Sequence, residues 1–172
     1  MIIFYYQVMF VVSFLLILGL VYQWHGQMDI TYPILFALIP IINFGYLALA
    51  ESTELGTAIL ANKITYIGGC FFQLLYLLSV YSVCKIKLSM RTLLFLFVLS
   101  SGLYGCVLTI GYHPIFYRRV EMVREGNVTT LIKEYGAAHT AFYLLVIGYL
   151  LANLAGLIYS IRKRPDASLK NL

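Results

Sequence analysis

Charged side chains are scarce in this chain, and their absence from long stretches excludes a soluble globular core. Charged residues make up 11% of the 172 residues and hydrophobic residues 62%, whereas soluble domains average about 25% charged residues. Asp, Glu, Lys and Arg are all absent from five stretches: 1–22, 30–50, 64–84, 92–112 and 135–161. A helix needs about 20 apolar residues to cross a hydrocarbon core about 30 Å thick. The sequence therefore predicts an all-α integral membrane protein, built as a five-helix transmembrane bundle.

Cysteine is also rare, and its spacing excludes the usual cysteine chemistry. Cys70, Cys84 and Cys106 lie in or at the edges of the predicted helices, with neither CxxC spacing nor a neighbouring histidine. This pattern favours neither a disulfide framework nor a metal site. A phosphate-cradling glycine loop is absent as well. We therefore predict no catalytic residue, no metal and no cofactor on this chain.

The basic residues that do occur flank the predicted helices, so the net charge of +5 indicates membrane topology rather than nucleic-acid binding. Lys85 and Lys87 lie in one loop, and Arg162, Lys163 and Arg164 lie in the carboxy-terminal tail. In a five-helix chain these two segments are on the same side, which the positive-inside rule makes cytoplasmic. The amino terminus is then outside and the carboxy terminus inside. Four basic residues in the outer segment 113–134 work against this orientation.

The domain prediction follows from these windows. We expect a sensor-like transmembrane bundle over residues 1–161 and a basic cytoplasmic juxtamembrane segment at 162–172. The helices are predicted at about 2–22, 30–50, 57–84, 89–112 and 137–161. Such a chain belongs in the inner, cytoplasmic membrane as a multi-pass protein, with the lipid bilayer as its first partner.

The outer segment between the fourth and fifth helices has the pattern of a short β-hairpin. Gly126 and Asn127 suit a two-residue turn with glycine first, and β-branched residues follow it. Pairing about that turn gives two cross-strand pairs, Met122 with Leu131 and Arg119 with Glu134. The alternative is a pair of amphipathic turns lying in the membrane interface.

Polar side chains inside or at the ends of the spans are the candidate functional residues, because polar groups are costly in lipid. Residues near the outer ends are expected to line a ligand-binding pocket: Glu51, Lys63, Tyr66, His113, Tyr117 and His139. Three deeper residues are candidate couplers between helices: Asn43, Gln73 and Asn153. The alternatives are ordinary interfacial placement for the first set and simple interhelical hydrogen bonding for the second.

A stripe of small residues on the fifth helix predicts close helix packing. Gly148, Ala152 and Gly156 recur at four-residue spacing, the small-xxx-small pattern that lets another helix approach. The stripe is expected to meet the fourth helix or to serve a homodimer.

A family resemblance is carried by the second and third predicted helices, NFGYLALAESTELGTAILANKITYIGGCFFQ. This run resembles the amino-terminal seven-transmembrane region of bacterial sensor histidine kinases and related diguanylate cyclases. The matching positions are Tyr46, Leu47, Glu51, Ala58, Lys63, Tyr66, Ile67 and Gly68. The segment HPIFYRRV and the later EYG resemble the outer element of the same family, through His113, Phe116, Tyr117 and Gly136.

The resemblance implies a sensor that reports to a cytoplasmic effector domain or partner protein. The chain departs from the family in having five predicted helices instead of seven, and neither a kinase His box nor a GGDEF run is present. Either it is a fragment of a longer receptor or a stand-alone relative that signals through a partner. We predict a signal-input module for an unknown small ligand. The alternatives are a non-catalytic assembly subunit of a membrane complex and a small transporter.

Overall fold

The described residues form the predicted arrangement of five helices and a hairpin. The computed structural model describes residues 1–23 and 29–163. Along the chain it contains α1 (Ile2–Tyr22), α2 (Thr31–Glu51), α3 (Leu55–Val83), α4 (Met90–Leu108), β1 (Tyr117–Glu125), β2 (Val128–Tyr135) and α5 (Ala137–Lys163). All five helices are long and apolar enough to cross a membrane. The predicted juxtamembrane segment lies outside the described residues from position 164 onward.

The fourth helix is shorter than predicted, because it ends at Leu108 rather than at position 112. Gly111 has a φ of 88°, which a right-handed helix does not accommodate. Before that glycine, the Thr109 and Ile110 amides donate to the Cys106 and Val107 carbonyls in tight turns. The chain therefore leaves the bundle through turns, which lead directly into the hairpin. An apolar window alone did not reveal this exit.

α3 is the central helix of the bundle. It contacts α2, α4, α5 and both strands, whereas α1 packs against α2 at the periphery. Consecutive helices run antiparallel, so the amino ends of α1, α3 and α5 lie at the same end of the bundle as the hairpin. We call this the hairpin end. A hydrogen bond of 3.2 Å from Gln7 Nε2 to Glu51 Oε1 joins α1 to α2 there.

The hairpin has the predicted turn and register. Glu125 pairs with Val128 around the Gly126–Asn127 turn, and both predicted cross-strand pairs are present. Gly126 has a φ of 62°, which glycine adopts without a steric penalty. An irregularity between Tyr117 and Arg119 makes Arg118 the extra residue of a β-bulge. Arg118 and Arg119 are both exposed as a result.

Two glycines let α2 and α3 approach closely. A Cβ at Gly45 would lie 2.7 Å from the Thr65 backbone nitrogen, and a Cβ at Gly68 would overlap the Ile42 side chain. Contacts of this kind supply packing energy in membranes, where lipid is as apolar as leucine and the hydrophobic effect adds little. Gly45 and Gly68 therefore set the spacing of the α2–α3 pair.

Replacing Gly45 with alanine is expected to lower the free energy of unfolding by about 1–3 kcal/mol, because the new methyl group forces the α3 backbone away. Gly102→Ala in α4 is the matched control, since nothing lies within 4 Å of its Cβ position. The control is expected to be neutral, or stabilising by up to about 1 kcal/mol. Denaturant titration in mixed micelles measures both. Equal effects at the two positions would contradict the close α2–α3 contact.

Candidate functional site

The hairpin folds back onto the bundle instead of extending into water. Thr129 Oγ1 on β2 donates a hydrogen bond of 2.6 Å to the Ser52 carbonyl, just beyond α2. At the base of the hairpin, the amides of Gly136 and Ala138 donate to the carbonyls of Phe116 and Ile115. The hairpin is therefore attached to the helices at both its tip half and its base.

A cluster of polar and aromatic side chains fills the space between the hairpin and the helices. We call it the hairpin cluster: Asn62 and Tyr66 from α3, Phe116, Tyr117, Lys133 and Tyr135 from the hairpin segment, and His139 and Phe142 from α5. The Tyr66 and Tyr117 hydroxyl groups share a hydrogen bond of 2.7 Å. The Tyr66 ring also meets Phe116 and Phe142 edge to face, at 5.0 and 5.3 Å between ring centroids. Burial raises the pKa of the Tyr117 phenol to about 12, so that group stays protonated at neutral pH.

Lys133 places a positive charge inside this cluster, and no carboxylate in the described part of the chain pairs with it. Its Nζ donates to Asn62 Oδ1 at 2.8 Å and lies 5.5 Å from the centroid of the Tyr117 ring. Among the described residues the one ion pair is between Arg119 and Glu121. The Asn62 amide nitrogen is buried and has no hydrogen-bond partner in the same part of the chain. The site is therefore rich in donors and poor in acceptors.

The pKa of Lys133 reflects this environment. Burial lowers the pKa of its ammonium group below the ordinary value of 10.5, because the charged form loses hydration. Protonation of Lys133 thus opposes the packed state. The packed hairpin is expected to gain stability as the pH rises through the depressed pKa toward 10.5.

His139 lies in an aromatic cage in the first turn of α5. It is 2% exposed, and its ring stacks on Tyr135 with 3.9 Å between centroids and 6° between planes. Tyr143 and Phe116 meet the imidazole edge to face, at 4.6 and 5.2 Å. His139 is therefore a packing element between β2 and α5, enclosed on several sides.

Two adjoining grooves open beside the hairpin cluster. The first, of about 330 Å³, is lined by Leu55, Ile59, Gly111, Tyr112, His113, Pro114, Tyr117, Arg118, Arg119 and Val120. The second, of about 350 Å³, is lined by Leu55, Gly56, Ile59, Leu60, Lys63, Ile110, Gly111 and Tyr112. We call them the arginine groove and the lysine groove. His113 and Tyr117 face the first, and Lys63 faces the second, where its ammonium lies 5.1 Å from the centroid of the Tyr112 ring.

The family comparison agrees with the membrane-spanning character of the five helices. The sequence model of the N-terminal 7TM region of histidine kinase matches residues 5–171. The chain belongs to this family. No curated protein and no solved structure matches it. As a histidine-kinase sensor region, the chain is a signal-input module of the inner membrane, it spans that membrane several times, and a cytoplasmic kinase is its output partner.

The structure brings together some of the predicted sensing residues of the sensor region and separates one. Tyr66, Tyr117 and His139 meet in the hairpin cluster, and Lys63 and His113 line the grooves beside it. Glu51 lies elsewhere, exposed at the end of α2, where it accepts the hydrogen bond from Gln7. Its role in the structure is a contact between α1 and α2.

The three predicted couplers have different surroundings. Asn43 Nδ2 donates to the Met9 carbonyl at 3.2 Å, which joins α2 to α1. Asn153 Nδ2 donates to the Tyr149 carbonyl of its own helix, and its buried Oδ1 has no partner among the described residues. Gln73 is half-buried and makes no side-chain hydrogen bond within that part of the chain.

The small-residue stripe of α5 packs on α3 at Ala152 and Gly156, whereas the fourth helix or a second copy was its expected neighbour. A Cβ at Gly156 would lie against the Tyr81 ring, and the Tyr81 hydroxyl donates to the Ala152 carbonyl at 3.0 Å. Gly148 has nothing within 4 Å of its Cβ position and lines an apolar groove together with Leu96 and Leu99 of α4. The homodimer itself stays a prediction. α4 and α5 meet instead through the buried Ser100 and Tyr149 hydroxyl groups, 2.9 Å apart.

Sequence reasoning missed the pairing of Asn62 with Lys133. The alternation of β2 places Thr129, Leu131 and Lys133 on one face, and the structure shows that this face is the more buried one. Alternate residues of a strand face the same side, so a threonine, a leucine and a lysine were bound to point at the same surface. A lysine on the buried face of a hairpin is unusual enough to mark a polar partner beneath it.

A double-mutant cycle tests the Asn62–Lys133 contact. Lys133→Met is expected to cost about 1–3 kcal/mol of unfolding free energy, because it leaves the buried Asn62 amide without its partner. Asn62→Leu leaves a half-buried ammonium without an acceptor and is expected to cost at least as much. The double variant is expected to recover more than about 0.5 kcal/mol of the summed loss. Strict additivity of the two effects would show that the contact contributes nothing.

Proposed function

We propose that the hairpin end is the input surface of this sensor region and that it faces the outside of the cell. A ligand in the grooves would change how the hairpin sits on α3 and α5, and this change would reach the cytoplasmic kinase through the helices. One observation carries the proposal. The hairpin cluster joins the hairpin to α3 through Tyr66 and Asn62 and to α5 through His139.

The roles of the predicted residues divide by depth in this proposal. Lys63 and His113 line the grooves and are assigned to ligand contact. Tyr117 lines the arginine groove and also bonds to Tyr66, so it links the surface to the interior. Tyr66 and His139 pack between elements and are assigned to relay. Asn43, Gln73 and Asn153 remain proposed couplers deeper in the bundle.

Transmission requires two packings that the ligand binds with different affinity. α3 is suited to this role because it contacts three other helices and both strands. α5 begins beside His139 and ends with Arg162 and Lys163. Under the proposed orientation those two residues begin the cytoplasmic juxtamembrane segment that leads toward the kinase.

Removal of the tyrosine pair should uncouple the input surface from the output. Tyr66→Phe and Tyr117→Phe each delete the shared hydrogen bond of 2.7 Å while keeping the ring in place. Either change is expected to alter basal kinase activity or ligand response of the full-length receptor by roughly 3- to 10-fold, as a coupling loss of about 1 kcal/mol gives. Autophosphorylation in native membranes measures this.

Tyr22→Phe is the matched control, because Tyr22 is 88% exposed near the end of α1 opposite the hairpin. Its kinase activity is expected to equal that of the parent receptor. Normal activity and normal response in both Tyr66→Phe and Tyr117→Phe would remove the hairpin cluster from the signalling route.

The outward orientation of the hairpin is supported by the charges at the opposite end. Lys85, Lys87 and Arg91 lie there, together with the end of α5, and basic loops are retained in the cytoplasm. The hairpin also carries Arg118, Arg119, Arg124 and Lys133, and these count against this orientation because the rule counts basic residues.

Cysteine labelling tests this orientation. Single cysteines at the exposed positions Glu54→Cys and Lys87→Cys are introduced after the three native cysteines are replaced by serine. A membrane-impermeant maleimide added to intact cells is expected to label position 54 and not position 87. Permeabilised cells provide the control in which both react. Labelling of position 87 alone in intact cells would reverse the orientation.

A further inference from the structure

The two grooves form one continuous basic surface. They share Leu55, Ile59, Gly111 and Tyr112. The side chains that can carry charge along their joint lining are Lys63, His113, Arg118 and Arg119, and no carboxylate of residues 1–23 and 29–163 lines either groove. Arg119 is paired with Glu121, whereas Arg118 makes no ion pair within the described residues. The surface therefore favours an anion.

The depth of this surface matches the level of lipid headgroups. α3 has 29 residues and is about 43 Å long at about 1.5 Å per residue, which exceeds a hydrocarbon core of about 30 Å by about 13 Å. The uncharged window of α3 begins directly after Lys63, so the surplus lies in the turns before it. Lys63 is then at the boundary between hydrocarbon and headgroups. Tyr112 is 90% exposed beside it, as is usual for tyrosine at the membrane interface.

The two ends of the joined grooves have different surroundings. His113, Arg118 and Arg119 lie at the hairpin side, where water and headgroups are accessible. At the other side the lysine groove ends at Lys63, the last α3 residue of its lining, beyond which the uncharged window of α3 begins. A ligand that fits this position carries a negative headgroup in the grooves and an apolar chain that continues into the hydrocarbon.

We propose that the joined grooves bind the headgroup of an anionic phospholipid, with its phosphate between Lys63 and Arg118 and its acyl chains in the hydrocarbon beyond Lys63. This inference rests on the proposed function, because it names the chemical class of the ligand that the input surface takes. The β-bulge contributes directly, since it turns Arg118 outward next to Tyr117. Through the hydrogen bond of Tyr117 to Tyr66, the anionic lipid content of the membrane becomes the quantity that α3 senses.

The binding test uses the whole chain in zwitterionic micelles and titrates phosphatidylglycerol, with the melting temperature as the readout. Phosphatidylcholine with the same acyl chains is one comparison, and inorganic phosphate is the other. Phosphatidylglycerol is expected to raise the melting temperature by several degrees at saturation, and the other two are expected not to. An equal shift with inorganic phosphate would show a site for a free anion and overturn the lipid proposal. An equal shift with phosphatidylcholine would show that the site does not distinguish lipids by headgroup charge, which would overturn it as well.

Substitutions locate the effect. Lys63→Gln and Arg118→Gln are each expected to raise the phosphatidylglycerol concentration that gives half of the maximal shift in melting temperature roughly fivefold, because each removes one basic residue near the anionic lipid. Arg118→Lys keeps the charge and is expected to retain most of the response. Arg124→Gln is the matched control, because Arg124 is an exposed arginine of the same strand that lines neither groove. Equal losses in Arg118→Gln and Arg124→Gln would overturn the site.

This experiment and the kinase experiment fail separately. The lipid titration reads binding without any kinase output. Selective binding of phosphatidylglycerol together with unchanged kinase activity in Tyr66→Phe and Tyr117→Phe would leave the lipid site in place and overturn the signalling route. Altered kinase activity without selective binding of phosphatidylglycerol would leave the signalling route in place and overturn the lipid site.

Discussion

Hydrocarbon cannot hydrogen-bond to the backbone, and this constraint governs the whole molecule. Every backbone amide and carbonyl within the span must find its partner inside the protein, which leaves helices as the available form for separate segments. α3 satisfies the constraint with turns to spare, since its 29 residues exceed the thickness of the core. Its surplus turns rise out of the hydrocarbon and provide Asn62 and Lys63 to the hairpin end. The platform for the hairpin is thus a consequence of helix length.

The hairpin would be marginal by itself, because an isolated two-stranded sheet is barely stable in water. It is held by what it packs against. Phe116 and Thr129 are almost fully buried. The Tyr117 hydroxyl shares a hydrogen bond with that of Tyr66 on α3, and His139 of α5 stacks on Tyr135. In the signalling route that we propose, the same contacts make the hairpin sensitive, since a ligand that moves Tyr117 would disturb the ends of two transmembrane helices. Stability and the proposed signalling would then share one set of side chains.

Membership of the histidine-kinase sensor family means that the coupling we propose would lead toward a cytoplasmic kinase. A sensor region has to convert an event at one side of the membrane into a change at the other, and continuous helices are the connection available. In this chain the grooves, the hairpin cluster and α3 are contiguous, and the bundle contacts that continue from α3 pass through small residues such as Gly45 and Gly156. Close backbone packing of this kind allows discrete alternative arrangements rather than gradual deformation.

The sequence by itself determined that lipid surrounds the protein, that the described residues hold five helices of membrane-spanning length, and that a hairpin with its register follows the fourth. Each of these depends on local pattern: charge-free windows of membrane length, and a glycine–asparagine turn between strands. Only the tertiary structure decided that Asn62 accepts a hydrogen bond from Lys133 and that Gly156 packs on α3. It also decided that Glu51 stands apart from His113. These outcomes depend on which helix faces meet, and helix periodicity shows which residues share a face without showing the neighbour that the face contacts.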